Sequence, residues 1–124
     1  MEQENFFKLY ADVPSDLLEG DLNARPCEFS FLIPAYKNPS CLRRALKSIF
    51  AQKECPAFEV LVADDSEEES AKIHEVIREF LNKGVNLLYY KNRKRLGLFG
   101  NWNRVYELSR FAASRHGYNS RRSY

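Results

Sequence analysis

The sequence is poor in the residues that staple or ligate a fold. Its 124 residues hold 3 cysteines, Cys27, Cys41 and Cys55, an odd number with no CxxC pair. That excludes a disulfide framework and a cysteine zinc site, and it suits a reducing compartment. The 2 histidines, His74 and His116, read as solvated side chains, and no Ser–His–Asp set is suggested. No apolar run approaches the roughly 20 residues of a spanning helix. Met1 to Tyr10 is too polar and acidic for a signal peptide. A cytoplasmic location, or a peripheral one at the inner face of the membrane, is the expectation. The net charge of +2 is too small to imply a nucleic-acid partner. The basic excess sits late, at Arg93, Lys94, Arg95, Arg104, Arg110, Arg115, Arg121 and Arg122. It reads as a solvated face or one that meets phosphates. The dinucleotide fingerprint GxGxxG and the phosphate loop GxxxxGK[ST] are both missing.

What is present suits one compact domain, with 44% hydrophobic and 29% charged residues. Residues 1–27 read as a lead-in segment, packed on the domain or loose, with a helical turn or two over Asn5–Tyr10 and a polar connector punctuated by Pro14, Gly20 and Pro26. Phe29–Ile33 is a short apolar run with strand composition, ended by Pro34. Asn38 can cap a helix with Pro39 at its first position. Leu42, Ala45, Leu46, Ile49 and Phe50 recur there at helical spacing, and Cys41 reads as a small packed residue. Phe58–Ala63 reads as a second strand running into Asp64–Asp65–Ser66. Ser66 and Glu69 form a capping-box pattern for a helix whose stripe is Ile73, Val76, Ile77, Phe80 and Leu81, stopped by Gly84. Val85–Tyr90 reads as a third strand. A last helix near Gly100 places Trp102, Val105, Tyr106, Ser109 and Ala113 on one face. The order strand–helix, three times over, implies a parallel sheet with flanking helices. The domain spans 28–113, and 114–124 has no periodicity and reads as a frayed tail.

Open parallel sheets bind ligands at the carboxyl ends of their strands. Two segments reach that edge with unusual residues, Pro34–Asn38 and Asp64–Ser66. Tyr36 can stack on a flat base or simply pack. Backbone groups at Pro34 and Ala35, taken to be free of sheet pairing, can meet a base edge. Asp65 can accept from a ring N–H or from ribose hydroxyls; equally, Asp64 or Asp65 can cap the following helix. Gly97 and Gly100, after Arg93–Arg95, permit either a pyrophosphate site at a helix start or a basic surface turn.

Taken together, Phe29–Tyr36, Leu46–Gln52, Phe58–Ser66, Tyr90–Gly97 and Gly100–Asn103 resemble the opening of family 2 glycosyltransferases of the GT-A fold, over about residues 28–112. The resemblance implies an incomplete GT-A, Rossmann-like parallel sheet with three βα units. It also implies a nucleotide-diphosphate sugar ligand, most often of the uridine type. By position, Pro34 and Ala35 line the base, Tyr36 stacks on it, Asp65 binds its N–H, and Asp64 supports the turn or the ribose. Gly97 and Asn103 fall on the donor side. A glycan or lipid-linked acceptor is implied for a full-length form.

Two departures stand out. Lys37 follows the tyrosine where a polar residue such as Asn is usual. No Asp-x-Asp motif for Mg²⁺ or Mn²⁺ follows the last helix, and no catalytic base is recognised. The expectation is a truncated, nucleotide-sugar-binding part, inactive alone and binding no metal itself. The alternative is a non-catalytic remnant or interaction module without a nucleotide ligand. A sugar-phosphate nucleotidyltransferase would need a Gly-rich loop at 34–38, which is absent.

Overall fold

A computed structural model describes residues 12–24, 27–52 and 56–109. The turn or two expected over Asn5–Tyr10, Cys55, and the tail 114–124 lie outside these residues. Among the described residues there are four strands and three helices: β1 (Ser15–Glu19), β2 (Phe29–Ala35), α1 (Pro39–Phe50), β3 (Phe58–Asp64), α2 (Ser70–Glu79), β4 (Asn86–Asn92) and α3 (Gly97–Leu108). The sheet order is β1-β4-β3-β2. β2, β3 and β4 are parallel, in a register that pairs Ala35 with Asp64 and Asp64 with Lys91. The carboxyl ends of the three strands therefore finish level, at one edge of the sheet.

Alternation along the strands builds two cores. Val60, Val62, Leu87 and Tyr89 face one side and pack with Leu42 and Leu46 of α1 and Ile73, Val76 and Ile77 of α2. Leu61, Ala63, Leu88 and Tyr90 face the other side and pack with Val105 and Leu108 of α3. Both faces of β3 are covered, which is why Val60 to Ala63 run apolar without alternation; Glu59 is buried as well and accepts from the Ser30 hydroxyl at 2.9 Å. α1 starts as its sequence dictates. The Asn38 side chain accepts from the Cys41 N–H at 3.1 Å, and Pro39 opens the helix.

The structure departs from the sequence reading in several places. The sheet is mixed, because β1, inside the segment read as a lead-in, pairs antiparallel with β4 and covers its edge. Gly20 permits this. Its φ is +110°, and an added Cβ would lie 2.6 Å from a Leu88 methyl and 2.7 Å from the Leu87 carbonyl oxygen. α2 starts at Ser70, not at Ser66, and shows no side-chain cap. Ser66 is instead buried, and its hydroxyl accepts from the Lys37 N–H. α2 also ends at Glu79, before Gly84, with Asn82 taking a left-handed conformation. Cys41 is exposed rather than packed.

α3 begins at Gly97 and is rotated from the expected face. Asn101, Arg104, Val105 and Leu108 are buried, whereas Trp102 and Tyr106 are 52% and 56% exposed. Hydrogen bonds decide the rotation. Asn101 and Arg104 find buried partners, so the helix turns a partly polar stripe inward and leaves its aromatic stripe outside. No helix among the described residues is long and apolar enough to cross a membrane.

Candidate functional site

The level strand ends bring the two unusual segments together. The Asp65 N–H donates to the Ala35 carbonyl at 2.8 Å, and the Lys37 N–H donates to Ser66 Oγ at 2.5 Å. Lys37 and Asn38 both have positive φ, 54° and 32°, and swing the chain from β2 into α1. That bend leaves Tyr36 on the outside, 42% exposed. A cavity opens between these segments and the start of α3. It is lined by Pro34, Ala35, Tyr36, Asp65, Arg95, Gly97, Leu98 and Asn101.

Pro34 and Ala35 lie within β2, not beyond it, so the expectation that both are free of sheet pairing holds only in part. The Ala35 carbonyl is engaged by Asp65. Backbone groups alternate sides along a strand, so the Pro34 carbonyl points to the other edge of β2, where no described strand pairs. A proline is tolerated there because an edge strand needs no N–H on its open side.

Asp65 is 2% exposed and organises the cavity wall. Its Oδ1 accepts from Asn92 Nδ2 at 2.9 Å and from the Leu96 N–H at 2.7 Å. Its Oδ2 accepts from the Gly97 N–H at 2.9 Å, with the Arg95 guanidinium 4.0 Å away. A carboxylate oxygen accepts two bonds, so Oδ2 retains capacity for one more. Gly97 adopts φ +82°, the left-handed conformation that aims its N–H at Asp65; open space surrounds it, so conformation and not crowding requires glycine.

Asp64 behaves differently from its neighbour. It is fully buried, accepts from the Ser66 N–H at 2.9 Å and from the Tyr89 hydroxyl at 2.6 Å, and does not line the cavity. Of its two expected roles, the geometry supplies the supporting one. Burial first, then the bond to Asp64, push the Tyr89 phenol well above its ordinary range. Asn103 also stays out of the cavity wall; Asn101, two residues earlier on α3, takes that place.

Two contributors, Asn92 and Asn101, were missed in the sequence, and Arg95 was read only as one cation of the Arg93–Arg95 run before the last helix. Asn92 ends β4 and donates from Nδ2 to both Asp65 and Asn101, each at 2.9 Å. Asn101 donates to the Ala63 carbonyl at 2.9 Å. Arg95 lays its guanidinium over the Tyr36 ring, 4.2 Å from the centroid. The available signal was a polar residue closing an apolar strand at the ligand-binding edge, and polar residues at 101 and 104 in phase with Val105 and Leu108.

No three His, Cys, Asp or Glu side chains come together as a metal site among the described residues. Asp64 and Asp65 are also engaged by Ser66, Tyr89, Asn92, Leu96 and Gly97. So engaged, Asp64 and Asp65 do not fit a divalent ion.

Comparison with known proteins gives one family. Residues 30–110 match the family described as glycosyl transferase family 2. No curated protein matches the chain, and no solved structure does. The parallel β2-β3-β4 core with its three helices is consistent with part of a Rossmann-like GT-A fold. With a match across most of its length and the strand-end cavity in place, the chain belongs to glycosyl transferase family 2.

Proposed function

We propose that this cavity binds the nucleoside diphosphate portion of a nucleotide sugar, with uridine as the base. The observation that carries the reading is that Tyr36 and Asp65 line one cavity, with spare acceptor capacity on Asp65 Oδ2. A uracil ring presents one N–H flanked by two carbonyls. Oδ2 accepts that N–H, and the Tyr36 ring offers a face for stacking. Arg95 now lies over that ring. On this reading the base displaces the guanidinium, which then turns toward the diphosphate. Pro34 and Ala35 line the cavity beside the base.

Family membership supports a sugar donor and an acceptor in general. A glycan or lipid-linked acceptor remains part of the proposal, as does Mg²⁺ or Mn²⁺ in longer relatives. Asp65 is the one carboxylate lining the cavity among the described residues, and it is engaged in holding the wall. The reading for these residues is therefore donor binding without a general base of their own.

Isothermal titration tests it. Uridine diphosphate should bind saturably. Cytidine diphosphate should bind about tenfold or more weakly, because cytosine presents a ring acceptor to the carboxylate in place of a donor. Equal affinity for the two nucleotides would defeat the role given to Asp65. No heat with either, from a folded sample at millimolar nucleotide, would defeat the whole reading.

A further inference from the structure

β1 lies outside the residues that match the family, yet it is bonded through Asn92 to Asp65 of the cavity wall. Its first residue, Ser15, is 3% exposed and pairs with Asn92 across the antiparallel ladder. The Ser15 hydroxyl donates to Asn92 Oδ1 at 2.5 Å. Asn92 Nδ2 then donates to Asp65 Oδ1 and to Asn101 Oδ1. Behind Ser15, the buried Arg104 donates from a terminal guanidinium nitrogen to Ser15 Oγ at 2.7 Å.

The bonds run in one direction, from Arg104 to Ser15 to Asn92 to Asp65. That direction fixes the Asn92 amide. A flipped amide would turn its oxygen on the Asp65 carboxylate and its nitrogen on the Ser15 hydroxyl, losing two bonds and adding a repulsion. The chain of bonds also links a buried cation to a buried anion whose nearest cation among the described residues is Arg95, 4.0 Å away. Asp65 in turn holds the Leu96 and Gly97 amides at the start of α3. An edge strand contributed from 50 residues earlier in the chain than Asp65 thus sets the geometry of the wall.

We propose that β1 is a working part of the site and that Ser15 is a positioning residue. Through Asn92 it holds the Asp65 carboxylate so that Oδ1 is saturated and Oδ2 alone keeps acceptor capacity for a ligand N–H. The consequence for ligand choice rests on the nucleotide reading above; the coupling of Ser15 to Asp65 does not.

The test is residue-resolved amide hydrogen exchange on the whole 124-residue chain, wild type against Ser15→Ala. The Leu96 and Gly97 amides should exchange about tenfold faster in the variant, while Leu61 and Val62 in the central strand keep their rates. Asn92→Ala should give a larger local effect at the same two amides. If either variant fails to fold, the wild type still decides. The Asn92 side-chain amide should give two resolved, slowly exchanging proton resonances, and a solvent-averaged signal would overturn the proposal. Leu96 and Gly97 rates within twofold of wild type in a folded variant would overturn it too. Nucleotide titration of the same samples should show Ser15→Ala weakening uridine diphosphate about fivefold and leaving the cytidine nucleotide unchanged. A wild type whose Leu96 and Gly97 amides depend on Ser15, but which binds neither nucleotide, supports the coupling and defeats the nucleotide reading.

Discussion

Asp65→Ala is the obvious variant for testing a ligand role, and the structure predicts that it first weakens the fold. The carboxylate receives one N–H each from Asn92, Leu96 and Gly97. Leu96 and Asn92 are 1% and 0% exposed, so water does not replace the lost acceptor for them. Each stranded buried donor costs about 1–3 kcal/mol, and the partly exposed Gly97 N–H adds less, for a total of roughly 3–5 kcal/mol. Against a domain stability of about 5–15 kcal/mol this is a large share. With 1 kcal/mol worth about 4–8 °C in a domain of this size, the midpoint should fall by at least about 12 °C. Asp65→Asn keeps the shape and one acceptor oxygen, and should lose roughly half as much. Thermal and urea denaturation followed by far-ultraviolet circular dichroism measure both. A midpoint for Asp65→Ala within about 3 °C of wild type would show that the three bonds contribute little, and would refute the structural role.

Tyr36→Ala, by contrast, touches an exposed side chain. It should leave stability within about 0.5 kcal/mol and weaken uridine diphosphate about tenfold by titration calorimetry. Gly20→Ala places a methyl against Leu88 and the Leu87 carbonyl at a positive φ. It should destabilise by about 1–3 kcal/mol in urea unfolding, and a neutral result would mean that β1 sits farther from β4 than described. Tyr89 gives a signed pH effect. Its phenol titrates higher folded than unfolded, so the unfolded chain releases the proton first. The contribution is fully present below the ordinary tyrosine value of about 10 and declines as pH rises above it, by up to about 1.4 kcal/mol per pH unit. Tyr89→Phe should flatten that alkaline decline in pH-dependent urea unfolding. An identical decline in both proteins would assign it elsewhere.

The parallel core was legible because its signals are local and agree with one another. Asn38–Pro39 fixes the start of α1, and the apolar runs of β2 and β3 are too short for helices. Tyr36 and Asp65 could be placed at one edge because parallel strands share a direction. β1 was not legible. Ser-Asp-Leu-Leu-Glu has few strand formers, and its pairing with residues 89–92 is a long-range choice that Gly20 and the Asn86–Asp21 bonds help secure. The inward face of α3 was misread for a related reason. Periodicity marks apolar stripes, and here Asn101 and Arg104 are buried by hydrogen bonds to Ala63 and Ser15. Asp65 was picked out as a ligand contact; its larger structural part, holding Leu96 and Gly97, depends on a β4–α3 turn whose path the sequence leaves open.

The central claim is that the level strand ends shape a nucleotide cavity, and a nitrogen–proton correlation spectrum titrated with uridine diphosphate tests it most directly. The account predicts saturable shifts concentrated at Ala35, Tyr36, Asp65, Gly97, Leu98 and Asn101, with the far ends of the strands, such as Phe58 and Asn86, unmoved. A folded spectrum that does not change at millimolar nucleotide, or shifts centred on another face, would contradict it.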